Sequence, residues 1–195
     1  MFSKAELIIM KQWTQALDEG YGVDVIFLDY RKAFDSVPHK RLRELKTFGL
    51  NEKLVAWIVE FLKDRKMRAR VNGSFSNWAE VFRGVPQGSV LGPLLFLLFV
   101  NDLPSVINSH IRMFADDAKI WRTIKDDTDS IRLQQDLDNM ESWCQEWLLN
   151  LNPSKCKVMY IGHRVKTGYH VWQARHNFII KFLILRFITL IKAYT

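Results

Sequence analysis

The sequence predicts an α+β fold in which antiparallel strands are backed by helices. Amphipathic helical patterns alternate along the chain with short apolar runs of strand length. Two pairs of those runs are joined by short turn sequences, Asn72-Gly73 and Asp116-Asp117, which is typical of antiparallel hairpins. The 195 residues suffice for one domain with a buried core and a small appendage.

The first third of the chain predicts a helix, a strand and two further helices. Residues 4–18 have a mixed apolar face and are followed by Gly20 and Gly22, which end a helix. Residues 23–30 form a nearly continuous apolar run, which indicates a buried strand. Pro38 favours the start of the next helix, and Asn51 is placed to cap the one after it. The buried side of the Pro38 helix would be formed by Leu42, Leu45 and Phe48.

The rest of the sequence predicts two hairpins, two helices and a last strand. Residues 67–71 and 75–82 predict strands of the first hairpin, and residues 111–114 and 118–121 those of the second. A glycine-rich loop leads into a very apolar helix over residues 91–103, stopped by Pro104. Residues 127–149 predict a long amphipathic helix, whose apolar stripe we interpret as core packing, and residues 157–161 a last strand.

Composition and charge narrow the functional classes. The hydrophobic share of 48% is too high for a chain disordered over most of its length. A net charge of +7 favours a polyanionic partner, such as nucleic acid or an anionic membrane surface. Part of that charge lies in residues 63–70, which form either a solvated helix end or a surface that faces phosphates. Its basic residues are Lys63, Arg65, Lys66, Arg68 and Arg70.

Cysteine usage and hydrophobicity disfavour a secreted scaffold or a membrane span. Cys144 and Cys156 lack disulfide-framework or zinc spacing, and the N-terminal residues lack the apolar run of a signal peptide. Residues 178–191 are apolar, but Lys181 and Arg186 would each cost about 2.5–3.5 kcal/mol near a bilayer centre. An apolar helix in a tail outside the main domain is therefore expected, and a transmembrane helix is the minor alternative.

Three aspartates at strand ends carry the chemical information. Asp29 closes the first strand, and Asp116 and Asp117 lie at the tip of the second hairpin. Adjacent carboxylates at ~4 Å repel by about 1 kcal/mol in water, and by more in a drier site. A solvated turn would explain Asp116-Asp117 alone. A cation would neutralise all three, and hard oxygen ligands select Mg²⁺ or Mn²⁺. The histidines form no ligand pair close in sequence, and no pattern indicates a nucleophile with its base.

Four ordered segments resemble the reverse transcriptases of non-LTR (LINE or jockey-like) retrotransposons. Residues 27–35 (FLDYRKAFD) resemble motif A, and residues 84–93 (GVPQGSVLGP) resemble motif B. Residues 114–117 (FADD) resemble motif C, and residues 151–157 (LNPSKCK) look like motif D. The resemblance covers residues 1–162 and implies a polymerase palm, a ferredoxin-like antiparallel sheet backed by helices. It also implies DNA synthesis on an RNA template.

The resemblance assigns a role to each matching residue. Asp29 and Asp116 would be the main ligands of two Mg²⁺ or Mn²⁺ ions, and Asp117 a supporting carboxylate. The bulky ring of Phe34 would exclude a 2′-hydroxyl, although core packing is its alternative. Lys155 would donate a proton to pyrophosphate, or would be an ordinary surface lysine. The residues expected beside the nucleotide and template are Tyr30, Phe34, Gly84, Pro86, Gln87 and Gly88.

The expected partners are an RNA template, a DNA primer and deoxynucleoside triphosphates inside the cell, in the nucleus or the cytoplasm.

Few residues precede motif A, so most of the family's fingers are expected to be missing. Beyond residue 162 neither a primer-grip hairpin nor a thumb is recognised, so residues 163–195 are expected to be a tail foreign to the family. The alternatives to a truncated polymerase are an inactive remnant that at most binds nucleic acid, and a product without function.

Overall fold

The computed structural model describes residues 4–41, 49–162, 168–173, 176–179 and 181–184. The helices are α1 (Lys4–Asp18), α2 (Ala33–Ser36), α3 (Glu52–Leu62), α4 (Leu91–Phe99) and α5 (Asp127–Glu146), with a 3-10 turn at Leu103–Val106. The strands are β1 (Gly22–Leu28), β2 (Lys66–Met67), β3 (Arg70–Val71), β4 (Ser74–Phe75), β5 (Ala79–Glu80), β6 (His110–Phe114), β7 (Asp117–Ile124), β8 (Lys157–Ile161), β9 (His170–Gln173), β10 (His176–Ile179) and β11 (Lys181–Ile184).

The chain forms two compact units. The first contains Met1–Tyr30, Leu103–Cys144 and Leu151–Thr195, and the second contains Arg31–Asp102 and Gln145–Asn150. The first unit is built on a five-stranded sheet with strand order β11-β8-β1-β7-β6. β1 is antiparallel to both β7 and β8, whereas β11 is parallel to β8. The antiparallel centre and the accompanying helices confirm the α+β prediction.

The core of the first unit explains why residues 22–28 form a central strand. Val23 and Val25 of β1 are fully buried against Ile9 and Ala16 of α1, together with Trp121 of β7. Ile26, which points to the opposite face, is also fully buried. A strand covered on both faces is a continuous apolar run, as the sequence pattern predicts.

The second unit carries a ribbon of two antiparallel segments. The first segment contains β2 and β3, and the second contains β4 and β5. β3 pairs with β4, and β2 with β5. Asn72 and Gly73 both have positive φ, 48° and 86°, as the mirror-image turn of a two-residue hairpin requires. The predicted hairpin is therefore confirmed. Asn51 caps α3 as predicted, because its side chain accepts a hydrogen bond from Lys53 N at 2.9 Å.

Two predicted helix boundaries differ from the structure, and a third predicted helix lies largely outside the described residues. The apolar helix ends at Phe99 instead of residue 103, because Asn101 and Asp102 form a turn before the 3-10 segment. The long helix ends at Glu146 instead of residue 149. The helix predicted from Pro38 lies largely outside the described residues, and Pro38 itself bridges to Arg83.

The tail contains strands where an apolar helix was expected. β9 and β10 form an antiparallel hairpin, and β11 extends the main sheet beside β8. Continuous apolar residues suit a strand as well as a helix, so periodicity alone cannot separate the two. The rest of residues 178–191 lies outside the described residues. Within the described ones, no helix has the length and apolarity that spanning a membrane requires.

Candidate active site

The three aspartates belong to the first unit, and the sheet register brings their backbones to one edge. Asp29 directly follows Leu28, the last residue of β1, and Leu28 pairs with Ala118 of β7. Asp117 is the residue before Ala118 and closes the β6–β7 turn by pairing with Phe114. Ala115 and Asp116 form that turn, with Ala115 at φ 53°. Antiparallel pairing therefore places the end of motif A next to motif C.

The backbone of Asp29 is held by the motif D segment. Its carbonyl oxygen accepts a hydrogen bond from Asn152 N at 2.7 Å. Asn152 O in turn accepts from Lys155 N at 2.9 Å and from Cys156 N at 3.2 Å. Because Cys156 is fully buried, this turn is anchored in the core. The position of Asp29 is therefore set by contacts on both sides of β1.

Among the described residues, the Asp29 side chain has one charged neighbour and one oxygen atom without a hydrogen-bond partner. Lys155 Nζ lies 3.7 Å from Oδ1, with the Lys155 side chain 65% exposed and that of Asp29 29% exposed. Oδ2 is buried and has no hydrogen-bond partner among the described residues. A buried carboxylate oxygen without a partner is costly, and a bound cation would satisfy it. Asp29 therefore fits a role as a cation ligand.

The side chains do not form a complete metal cluster. Within the described ranges, no three or more His, Cys, Asp or Glu side chains are grouped so as to hold a metal ion. Asp116 is half-buried and Asp117 is exposed. The backbones of the predicted ligands therefore lie close together at one edge of the sheet, whereas their three carboxylates are not grouped around one point.

In the second unit, backbone hydrogen bonds join motif B to the motif A segment. Gly84 N donates to Val37 O, and Val85 N donates to Phe34 O, both at 2.7 Å. Gln87 Nε2 donates to Asp35 Oδ1 at 2.8 Å. Asp35 therefore orients Gln87 from within α2.

Two motif B glycines are required by close backbone approach. A Cβ on Gly84, which has φ +85°, would lie 2.8 Å from Asp35 Cα. A Cβ on Gly92 would lie 2.4 Å from Pro86 O. Ser89 strengthens the same turn, since its Oγ donates to Pro86 O at 2.7 Å and accepts from Gly92 N at 3.0 Å. Close backbone packing and these hydrogen bonds therefore hold the loop in this conformation.

Phe34 is half-buried at the edge of this loop. Its ring stacks obliquely on the fully buried Phe96 of α4, with ring centroids 4.9 Å apart. The ring is therefore anchored on one side while part of it remains accessible. Phe34 therefore packs on the core, as one of the two interpretations expects, and its contact with a sugar stays a prediction.

A cleft of about 690 Å³ lies beside the loop and the ribbon. Asp35 and Gln87 line it together with three basic residues, Lys32, Arg65 and Arg83. Gly84 O accepts from His39 Nε2 at 2.8 Å, and Arg65 also approaches it at 3.3 Å. Sequence reasoning missed the roles of His39 and Arg65, because no local pattern links them to a glycine so distant in the chain.

Tyr30 departs from the expectation of nucleotide contact. It is only 4% exposed, and its backbone bridges to Leu151. Burial, with smaller contributions from Cys144 and Cys156, raises the pKa of its phenol well above the usual value. Tyr30 therefore packs in the core of the first unit and is not presented to a ligand.

No local sequence pattern predicts a buried polar pair in the first unit. Asp24 on β1 is 1% exposed and accepts a hydrogen bond from the hydroxyl of the fully buried Tyr169. Burial, followed by the charge of Asp24, raises the pKa of Tyr169. The pair ties residue 169 of the tail to the strand that leads to Asp29.

Comparisons with known proteins agree with this geometry. Residues 9–186 match the family described as reverse transcriptase (RNA-dependent DNA polymerase), so the match continues past residue 162. A protein of transposon BS from Drosophila melanogaster is 32% identical over 163 residues, which cover 75% of this chain and 17% of that protein. The RNA-directed DNA polymerase from mobile element jockey of the same species is 30% identical over 149 residues, 71% of this chain and 16% of the relative.

Solved structures show the same fold. A telomerase structure from Candida tropicalis superimposes with a TM-score of 0.59 at 12% identity, covering 86% of this chain and 37% of that one. This likeness supports the palm-type polymerase fold predicted from the motifs. The chain spans about one sixth of the length of the two retrotransposon relatives. From the family match and these relatives, the chain belongs to the reverse transcriptases of the non-LTR retrotransposon type.

Proposed function

We propose that this chain contributes the catalytic centre for DNA synthesis on an RNA template. The observation that carries the proposal is the sheet edge where Asp29 and Asp117 adjoin through the Leu28–Ala118 pair. Template-directed polymerisation requires carboxylates that hold divalent cations between a primer end and a nucleotide. The buried, unpartnered Oδ2 of Asp29 is the feature of this edge that such a cation would satisfy.

The carboxylates would hold two Mg²⁺ or Mn²⁺ ions, with Asp29 and Asp116 as the main ligands and Asp117 in support. When bound, such ions activate a 3′-hydroxyl and stabilise the leaving pyrophosphate. The role of the chain is to hold the carboxylates at one edge. The hydrogen bond from Asn152 N to Asp29 O, at 2.7 Å, fixes the strand end that presents the first of them.

Lys155 is the candidate proton donor to pyrophosphate. Its Nζ lies 3.7 Å from Asp29 Oδ1 and is largely exposed, so it can turn towards a leaving group. A positioned general acid contributes roughly 10²–10⁴-fold. We expect Lys155→Ala to slow single-nucleotide incorporation by about 10²-fold at constant primer binding. An unchanged incorporation rate would assign Lys155 to the surface instead.

The second unit would bind the nucleotide and the template through Phe34 and the motif B loop. Gly84, Pro86, Gln87 and Gly88 form a loop whose backbone can approach a ligand closely. The ring of Phe34, anchored on Phe96, would lie against the sugar and exclude a 2′-hydroxyl. Lys32, Arg65 and Arg83 outnumber the acidic Asp35 and Glu80 in the lining of the adjoining cleft, which leaves a net positive charge that suits a triphosphate.

The partners that follow are an RNA template, a DNA primer and deoxynucleoside triphosphates, encountered in the nucleus or the cytoplasm. A solved telomerase relative was determined with a fragment of telomeric RNA. Residues 1–162 would form the palm that carries motifs A to D, as part of a longer polymerase.

A catalytically inactive remnant that binds nucleic acid is the second candidate. Its supporting observation is that no metal-ligating group of three side chains is assembled among the described residues. The two candidates predict opposite results in one assay. We would measure primer extension on poly-rA/oligo-dT with Mg²⁺ or Mn²⁺, comparing the chain with its Asp116→Ala, Asp117→Ala double variant. Extension by the unsubstituted chain alone supports the polymerase, and equal, negligible extension by both supports the remnant.

A further inference from the structure

The basic run of residues 63–70 lies largely on the ribbon instead of at a helix end. The ribbon's strands β2 to β5 are exposed throughout. Residues 63–83 contain six basic and two acidic side chains, a net charge of +4. Three of the chain's exposed aromatic residues lie on the same segment: Phe75, Trp78 and Phe82 are 52%, 61% and 73% exposed. Charge and aromatic surface thus coincide on one element.

The arginines and rings of the ribbon form an ordered stack. The Arg68 guanidinium lies 3.9 Å from the Phe75 ring centroid and 4.5 Å from that of Trp78. Arg70 pairs with Phe75 across the strands, and its guanidinium lies 5.3 Å from that ring. The four side chains therefore share one face of the ribbon. Neither arginine forms an ion pair with a carboxylate among the described residues, so both charges remain available to an anion.

We propose that this face binds an unpaired stretch of the RNA template. The identification of that strand as the template rests on the proposed function. Unpaired bases stack on aromatic rings and on guanidinium planes, while arginines neutralise the adjacent phosphates. A duplex hides the faces of its bases, so rings exposed in this way select a single strand. The stack exists before the strand arrives, which lowers the entropy cost of ordering these side chains.

The composition of the ribbon argues against an anionic membrane as its partner. Basic residues with exposed aromatics are also found on elements that lie in a membrane interface. Such elements present a continuous apolar face, whereas Arg68 and Arg70 lie among the rings of this one. The arginine side chains are held against the rings and do not extend away from them. This geometry favours stacked bases over lipid.

The test is fluorescence anisotropy of the full chain with a labelled, unstructured 12-nucleotide RNA at several salt concentrations. Trp78→Ala should weaken binding about tenfold, which lies within the range for losing one stacked base. Trp78→Phe retains an aromatic face and should bind nearly as well as the unsubstituted chain. Trp57→Ala is the matched control, because Trp57 is 51% exposed on α3 and stacks only on Phe61 among the described rings. It should leave the affinity unchanged.

Salt dependence separates the arginines from the rings. Arg70→Gln should reduce the slope of log K against log salt by about 0.7, the value for one phosphate contact on a single strand. Trp78→Ala should lower the affinity at an unchanged slope. Circular dichroism checks that every variant is folded. We expect folded variants because the side chains of Arg70 and Trp78 are exposed.

Four results would overturn the proposal. They are an equal loss in Trp57→Ala and Trp78→Ala, tighter binding of the same RNA as a duplex, tighter binding of single-stranded DNA of that sequence, or binding confined to phosphatidylserine vesicles. The Asp116→Ala, Asp117→Ala variant should retain RNA affinity. Failure of primer extension with RNA binding intact would therefore count against the polymerase activity and not against the ribbon.

Discussion

The close approach of motif B to motif A can be tested with two glycines that share a positive φ but differ in the space around their Cα atoms. Gly84 and Gly88 both have positive φ, +85° and +80°. A Cβ on Gly84 would lie 2.8 Å from Asp35 Cα and 3.0 Å from Phe34 O, whereas one on Gly88 would meet nothing within 4 Å. Alanine at either position adopts the left-handed conformation at a cost of about 1–2 kcal/mol. Only alanine at position 84 also displaces backbone.

The displacement sets the size of the expected difference. Overpacking at a well-packed position costs about 1–3 kcal/mol, so Gly84→Ala should lose that much more stability than Gly88→Ala. For a chain of this length, 1 kcal/mol corresponds to a shift in Tm of roughly 2–4 °C. Urea titration followed by far-UV circular dichroism, with thermal melts in parallel, would measure both variants. Equal losses would show that the Gly84 carbon does not approach the motif A backbone as closely as the structure indicates.

Three further predictions follow from particular contacts. Phe34→Ala removes the ring that is proposed to face the sugar, so the ratio of ribonucleotide to deoxynucleotide incorporation should rise on the order of tenfold; an unchanged ratio in single-nucleotide extension would assign Phe34 to packing on Phe96 alone. Tyr169→Phe removes the hydroxyl that donates to buried Asp24 and should cost about 1–3 kcal/mol by thermal melting. Tyr21→Phe is its control, and equal effects would contradict the buried pair. Asp129 loses solvation on burial, but hydrogen bonds from Arg122 and Lys125 N hold its pKa below the usual value. Its contribution to stability is present above the unfolded-state pKa near 4 and is lost as pH falls through the lower folded-state value. Asp129→Asn should therefore be less stable at pH 7 and should show a flatter stability profile in acid; a profile identical to that of the unsubstituted chain would refute this role.

The sheet and the strand ends could be predicted because their signals are local. β1 is a continuous apolar run, β8 begins and ends where its pattern does, and Asn72-Gly73 specifies its own turn. Asp29 and Asp117 are brought together by antiparallel pairing, which follows once both strands are recognised. Four short motifs in order then identified the family without any structural information.

The missed features depend on contacts between residues distant in sequence. Nothing near Asp24 predicts a hydroxyl partner at Tyr169. Tyr30 is buried and its backbone bridges to Leu151 in the distant motif D segment, whereas its neighbours in motif A suggested a ligand contact. β10 and β11 were read as part of an apolar helix because a short apolar run has the same composition in either state. The family match to residue 186 agrees with the strands there.

The β9–β10 hairpin changes the interpretation of the tail. Sequence patterns beyond residue 162 gave no indication of a hairpin. The structure has an antiparallel hairpin at that point, followed by a strand parallel to β8. In their described parts, residues 168–184 therefore form strands that belong to the first unit.

The central claim is that Asp29, Asp116 and Asp117 form one divalent-cation centre at the sheet edge. Manganese binding followed by electron paramagnetic resonance tests it without relying on catalysis, since the signal of free Mn²⁺ falls as ions bind. We predict that the unsubstituted chain binds two Mn²⁺ ions and that Asp29→Asn loses at least one of them. The double variant Asp116→Ala, Asp117→Ala should lose both, and Asp18→Asn, at an exposed carboxylate outside the site, should match the unsubstituted chain. Identical titrations for the unsubstituted chain and the double variant would contradict the claim.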